Sequence, residues 1–175
     1  MQAQIQPRYR SSFDSAVGPI TLLSDGAALT GLYLPQQLAL LQRRDEWGER
    51  SDGFDDVKRY LERYFGGTID CELPRLQLAG TPFQNQVWNE LLSIPFGELR
   101  TYGQIAKAIG RPSASRAVGK TIGDNPISII VPCHRVIGGG GKLTGYAGGL
   151  EIKRWLLDHE ASLMIAGPSG GPLVA

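Results

Sequence analysis

The sequence predicts an α+β fold: a small N-terminal antiparallel sheet with one helix, then a mainly helical C-terminal domain that contains a helix-turn-helix. Three observations predict it. Extended runs broken by turn pairs occupy the first 35 residues, apolar positions at three- and four-residue spacing follow from Phe54 to Phe65, and two helix-capping boxes open the second half.

The first strands are expected over Arg8 to Ser15, Ile20 to Ser24 and Ala28 to Leu34, separated by Gly18-Pro19 and Asp25-Gly26 as hairpin turns. Residues 35–52 show no period and receive no assignment. Phe54, Val57, Tyr60, Leu61, Tyr64 and Phe65 form one face of a helix that Gly66-Gly67 stops. An extended piece from Ile69 to Leu78 leads to Gly80, read as a domain boundary. Thr81-Pro82-Phe83-Gln84 combines an N-cap threonine, a first-turn proline and a glutamine able to reach back to the cap, so a helix starts here and runs to Ile94-Pro95. Thr101-Tyr102-Gly103-Gln104 opens a shorter helix closed by Gly110, and a third helix follows Pro112-Ser113 to about Gly123. Two short helices joined by Gly110-Arg111-Pro112-Ser113 have helix-turn-helix proportions. The apolar run Ile127 to Val131 reads as a strand leading into Pro132-Cys133-His134-Arg135, and a last helix is expected from Leu150 to His159. The expected organisation is residues 1–80, residues 81–160 and a fraying Gly- and Pro-rich tail over 161–175.

Composition narrows the function classes. No apolar run reaches the roughly 20 residues of a membrane-spanning helix, and the first residues lack a signal-peptide pattern, so a soluble cytoplasmic chain without a membrane partner is expected. Net charge is +1, from 18 basic and 17 acidic residues, but residues 81–150 carry 7 basic and 3 acidic side chains. The positive excess sits on the helix-turn-helix and the segment after it. Two cysteines make a poor disulfide framework, and a zinc site would need Cys71, Cys133, His134 and His159 together. No metal and no cofactor are expected.

Cys133 is the pivotal candidate. It ends an apolar run, follows a proline, and precedes His134 and Arg135, which are able to stabilise a thiolate. Against this stands a buried core cysteine, because adjacent side chains on an extended segment point to opposite faces. His134 could serve as general base if a carboxylate orients it, with Glu160 and Asp158 as candidates. Arg116 and Lys120 are either solvated helix charges or phosphate contacts. Ala114, Ser115, Ala117 and Gly119 would let that helix approach a nucleic acid closely. Tyr102 is either a core aromatic or a polar-tipped group at a helix head, and Cys71 reads as core.

Pro132-Cys133-His134-Arg135-Val136, with Asn125-Pro126 and Arg116-Ala117-Val118-Gly119 before it and Gly145-Tyr146-Ala147-Gly148-Gly149 after it, closely resembles the active-site region of the O6-alkylguanine-DNA alkyltransferases. The likeness runs from about Gly80 to Glu160; the first 80 residues fit the family's looser, ribonuclease-H-like pattern. The resemblance implies irreversible, single-turnover transfer of an alkyl group from guanine O6, and also from thymine O4, onto Cys133. The sulfur is expected to be ionised and opposite an extruded base. His134 would take the thiol proton through a water, Glu160 would orient the imidazole, and Asn125 would brace the turn before the active-site strand. Tyr102 would donate toward the guanine ring, Arg116 would fill the gap in the stack, and main-chain groups of Cys133 and Val136 would accept from the exocyclic amine. The amide near Ala147, beside Tyr146, would face the leaving oxygen. The implied partner is double-stranded DNA carrying alkylated guanine, bound by a monomer able to assemble cooperatively. Ala147 stands where some relatives carry a hydroxyl residue, and residues 1–70 hold neither Cys nor His, so the zinc site of some relatives is absent. Two other readings compete: a non-catalytic sensor that flags lesions, and a thiol hydrolase built on Cys133, His134 and Glu160.

Overall fold

The computed structural model describes residues 8–38, 47–50, 52–68 and 72–166. The fold is α+β, with a four-stranded sheet in the N-terminal part and helices dominating the rest. Strands β1 (Tyr9–Ser15), β2 (Gly18–Ser24) and β3 (Leu29–Tyr33) form an antiparallel meander. A two-residue strand β4 (Gly48–Glu49) adds to β1 in parallel, so the sheet is not purely antiparallel. The first turn falls on Ala16-Val17 rather than on Gly18-Pro19. Gly18 pairs with Ser15 and has φ 99°, a left-handed conformation that glycine adopts without steric cost as the chain re-enters the sheet.

Helix α1 (Pro35–Leu38) is a single turn in the segment that carried no assignment. Helix α2 (Asp55–Phe65) buries Val57, Leu61 and Tyr64, as its spacing predicts. The extended piece expected over 69–78 contains no regular strand among its described residues, 72–78. Residues 69–71, with Cys71, lie outside the described residues; of the rest only Leu76 bridges, to Leu29, through Leu29 N–H on Arg75 O and Gln77 N–H on Leu29 O. Pro74 offers no amide to extend the ladder. Gly80 has a packing reason to be glycine: a Cβ there would lie 2.4 Å from the Trp88 ring.

Helices α3 (Pro82–Leu92) and α4 (Tyr102–Ala108) both begin with reciprocal capping boxes, at Thr81/Gln84 and Thr101/Gln104. Helix α5 (Ser115–Gly123) completes the helix-turn-helix. The indole N–H of Trp88 donates to Thr121 O at 2.9 Å, and the Gln86 side-chain amide donates to Ile109 O at 3.2 Å, so α3 holds both helices in place. Short strands β5 (Arg100–Thr101) and β6 (Val136–Ile137) pair in parallel, which brings the head of α4 beside the residues after Cys133.

The run Ile127–Val131 is not a strand. Ile127 makes one bridge, to Leu32, and the chain then coils through turns, with Ile129 at φ 69°. All five residues are buried. Apolar content was read as extension, whereas the chain must double back here to place Cys133 beneath Asn125. Helix α6 (Leu150–Ala166) runs seven residues beyond His159. Ala161 to Ala166 are helix-compatible, and the first breakers are Gly167-Pro168, so the ordered helix takes in the first part of the expected tail. Residues 167–175 lie outside the described residues. One apolar cluster joins the two halves, with Leu32, Phe54, Leu61 and Tyr64 packed in the same core as Trp88, Leu91, Ile127 and Leu156. Among the described residues, no helix is long and apolar enough to cross a membrane.

Candidate active site

Cys133 opens a 3-10 turn, Cys133–Arg135, rather than sitting on an extended segment. Three residues per turn send successive side chains off at roughly 120° to one another, so Cys133, His134 and Arg135 enter three different surroundings. All three are buried.

The Cys133 residue is 3% exposed. Asn125 defines its setting: Nδ2 donates to Cys133 Sγ at 3.0 Å and to Val131 O at 2.9 Å, while Oδ1 accepts from Ile127 N–H at 3.0 Å. One amide therefore closes the buried turn and touches the sulfur that the turn delivers. Burial pushes the thiol above its ordinary pKa; the Asn125 hydrogen bond and the Lys153 charge oppose this without overcoming it. In the free chain the neutral thiol is therefore favoured near pH 7, whereas the ionised sulfur that the resemblance implies concerns the chain with an extruded base in place.

His134 is fully buried, and loss of solvent lowers its pKa, so its ring is neutral near pH 7. Its Nε2 lies 2.7 Å from Glu160 Oε1. A carboxylate only accepts, so Nε2 carries the ring proton and Nδ1 presents a lone pair. Among the described residues, Nδ1 has no hydrogen-bond partner. The ring is therefore oriented by Glu160 with its basic nitrogen unspent.

Glu160 is 1% exposed and saturated with donors. Tyr64 Oη donates to Oε1 at 2.9 Å, Gly97 N–H to Oε2 at 2.9 Å, and the Arg135 guanidinium grips both oxygens, at 2.9 Å through Nε and 3.0 Å through Nη2. Burial alone would raise the carboxyl; hydrogen bonds from His134 and Arg135 reverse that and hold it well below the usual carboxylate range. Arg135 Nη1 also donates to Ile94 O at 2.7 Å. The expectation that Arg135 stabilises the thiolate is therefore corrected: its charge is neutralised by Glu160. Asp158, the other carboxylate considered, is exposed.

The cation that does act on the sulfur is Lys153, which the sequence reading missed. Its side chain is buried on α6, and Nζ donates to Val136 O at 2.6 Å and Thr144 O at 3.1 Å. Thr144 O also accepts from Tyr102 Oη at 3.2 Å. One carbonyl thus ties the glycine-rich loop to both α4 and α6. The Val136 carbonyl, expected to face the substrate, has one lone pair taken by Lys153, and the Cys133 carbonyl accepts from Val136 N–H. The Tyr146 hydroxyl is buried, and the neighbouring thiol adds to burial in raising its pKa. Ala147 and Gly148 form the turn closed by Gly149 N–H on Tyr146 O at 2.9 Å.

On α5, Val118, Thr121 and Ile122 face the core, and Arg116, Ala117 and Lys120 are exposed. Ala114 and Ser115 are half-buried. So is Gly119, whose Cβ position lies 3.6 Å from the Tyr102 ring, an ordinary contact distance that sets Tyr102 beside the helix. His159 takes no part in the site: it stacks on Trp155 with centroids 5.0 Å apart and meets Tyr64 O at 2.9 Å. Among the described residues, no cluster of three or more His, Cys, Asp or Glu could hold a metal ion.

Comparison with known proteins agrees across the chain. Residues 8–79 match the ribonuclease-like domain of 6-O-methylguanine DNA methyltransferases, and residues 82–162 match the DNA-binding domain of the same enzymes. The methylated-DNA–protein-cysteine methyltransferase of Methanosarcina acetivorans is 49% identical over 88% of this chain and 99% of its own length. The crystal structure of Mycobacterium tuberculosis OGT in complex with DNA superposes with a TM-score of 0.83 at 47% identity, covering 89% of this chain and 94% of that one. An O6-methylguanine-DNA methyltransferase from the archaeon Pyrococcus kodakaraensis shares the fold, with a TM-score of 0.61 at 22% identity. A relative of near-equal length at this identity, together with matches on both halves, establishes that this chain belongs to the 6-O-methylguanine DNA methyltransferase family.

Proposed function

We propose that this chain repairs alkylated DNA by moving the alkyl group from guanine O6, and from thymine O4, to its own Cys133. The observation that carries this reading is the neutral, Glu160-anchored His134 with an unspent Nδ1, one residue from a thiol already touched by Asn125. In the reaction the Cys133 proton passes to His134 Nδ1 through a water. Sγ then bonds to the alkyl carbon as the carbon–oxygen bond breaks, and the electron pair leaves with the guanine oxygen. Tyr102 donates toward the ring, the amide near Ala147 faces the oxygen, and the proton held by His134 balances the departing base. Lys153 and Asn125 favour the transient thiolate. The thioether has no acidic proton and no leaving group that this site can activate, so each molecule acts once.

The sulfur is covered in the free chain, so entry of the base requires part of that cover to move. A base in a duplex is equally hidden, and extruding it costs a few kcal/mol. The exposed Arg116 on α5 suits the vacated stack. The open first turn of α5, which has no side-chain cap, suits a phosphate, Lys120 in the last turn suits another, and Ala114, Ser115, Ala117 and Gly119 would keep the approach close. Residues 1–80 would serve as the supporting domain and 81–160 as the transfer domain. The chain would act in the cytoplasm as a monomer, with cooperative assembly on DNA and without a cofactor.

Arg116→Ala tests the stack-filling role. Single-turnover repair of duplex O6-methylguanine should fall about tenfold or more, while transfer from the free base changes by less than about twofold. Equal losses on both substrates would remove Arg116 from that role.

A further inference from the structure

We infer that Tyr64, on α2, is a positioning residue for the transfer: by sharing the Glu160 oxygen that faces His134, it holds down the proton affinity of the imidazole. The inference rests on His134 being the base that takes the Cys133 proton.

Tyr64 enters the charge cluster from the N-terminal half and is held at both ends. The residue is 2% exposed, and its ring packs edge-on against Phe65 and Phe96, with centroids 5.3 Å and 5.9 Å away. Its backbone carbonyl accepts from His159 Nε2 at 2.9 Å, and its hydroxyl donates to Glu160 Oε1 at 2.9 Å. Two consecutive residues of α6 thus fix the two ends of one tyrosine. Phenylalanine would serve the ring packing equally well. What the hydroxyl adds is a donor to the carboxylate, which when ionised can only accept. Burial, with the Glu160 charge second, pushes the phenol well above its ordinary pKa, so it keeps its proton near pH 7.

The oxygen that Tyr64 meets is shared. Oε1 lies 2.7 Å from His134 Nε2, 2.9 Å from Tyr64 Oη and 3.0 Å from Arg135 Nη2, whereas Oε2 takes the Gly97 N–H and Arg135 Nε, each at 2.9 Å. An ionised carboxylate has about two acceptor sites on each oxygen. The donors on Oε1 therefore divide its electron density, and what Tyr64 draws is withheld from His134. Arg135 grips both oxygens, so the carboxylate keeps its place without the phenol. With the phenol proton gone, Oε1 would pull harder on the Nε2 proton, and Nδ1 across the ring would become more basic. Tyr64 thereby keeps the imidazole neutral at rest, with its lone pair uncommitted.

The other charged or titratable groups around the His134–Glu160 pair are Arg135 from the 3-10 turn, Lys153 from α6 and Tyr146 from the loop. Cys133 adjoins His134 in the chain, and His159 adjoins Glu160. Exchanging the Tyr64 hydroxyl for hydrogen alters none of these.

Two replacements at position 64 push in opposite directions. Y64F removes the donor, and 3-fluorotyrosine, whose phenol is more acidic, strengthens it with almost no change of shape. The readouts, on the full-length chain at pH 7, are the proton resonance of His134 Nε2–H by NMR and the single-turnover rate of methyl transfer from an O6-methylguanine duplex. In Y64F the resonance should move downfield and transfer should quicken about threefold, the equivalent of about half a pH unit in imidazole basicity. With 3-fluorotyrosine both should move the other way. V57A, which removes packing from the same helix and no donor from Glu160, should lower stability and leave the resonance in place. Movement of the same sign in Y64F and the 3-fluorotyrosine chain, an equal movement in V57A, or none in Y64F would overturn the role of Tyr64. An unaltered chain that transfers no methyl to Cys133 would count against the acceptor assignment, whatever the resonance does. Normal transfer with an unmoved Y64F resonance would count against Tyr64 alone.

Discussion

Replacing Cys133 with serine is expected to abolish alkyl transfer while leaving duplex affinity within about threefold of the unaltered chain, because on the proposed reading the affinity comes from phosphate contacts of α5 and not from the sulfur. The separation follows from the site. Asn125 donates to the sulfur and the Lys153 charge acts on it, and a serine hydroxyl in that place is far harder to ionise and a poorer nucleophile. Single-turnover transfer of labelled methyl measures the first quantity and filter binding or fluorescence anisotropy the second. Methyl still reaching the C133S chain would mean that another residue is the acceptor. If C133S bound DNA normally and still protected cells from methylating stress, the sensor reading would replace the transfer reading. Continued turnover of an activated ester after the first equivalent would favour the hydrolase.

Glu160→Gln is expected to be the most destabilising conservative change in the site. The carboxylate is the shared acceptor for Tyr64, Gly97, His134 and Arg135, and neutralising it leaves the Arg135 guanidinium buried without a counter-ion. Breaking a buried pair from one side costs about 3–5 kcal/mol, which denaturant unfolding at pH 7 should register. The pH dependence has a definite sign. Glu160 titrates lower in the folded than in the unfolded chain, so its contribution is complete above about pH 4.3 and is lost as the pH falls through that value toward the folded one. His134 works in the same direction from about pH 6.5 downward, since its folded pKa is also depressed and the unfolded ring binds the proton more readily. The His134 effect is common to both chains, so the gap between the unaltered chain and E160Q should close only as the pH falls below about 4.3, where Glu160 loses its contribution. A gap that is constant from pH 7 to pH 3 would mean that Glu160 does not hold the cluster as an ionised group. E160Q should also move the pH profile of transfer upward through His134, and an unmoved profile would take Glu160 out of the proton route.

What the sequence made legible was whatever is encoded over a few neighbouring residues. The two capping boxes appear where threonine, glutamine and the following apolar face predicted them, because a cap is a contact across three positions. The hairpins, α2 and the helix-turn-helix were readable for the same reason. The coil from Ile127 to Val131 was not, since its course is set by Asn125 closing it and by Leu32 from the sheet bridging it, and neither contact leaves a period in the chain. Arg135 looked like a partner for the thiol because it is close in sequence, but a 3-10 turn points it at Glu160 instead. Lys153 had a usable signal. Lys153, Leu156 and Glu160 fall at helical spacing on one buried face of α6, and two charges on such a face announce partners inside the fold.

The central claim is that Cys133, neutral and covered at rest, takes the alkyl group and keeps it. Intact-mass measurement of the full chain after incubation with excess duplex containing O6-methylguanine, followed by peptide mapping, tests it most directly. The account predicts one methyl increment per chain, located on Cys133, with no further turnover. An unchanged mass, or a methyl on any other residue, would contradict it.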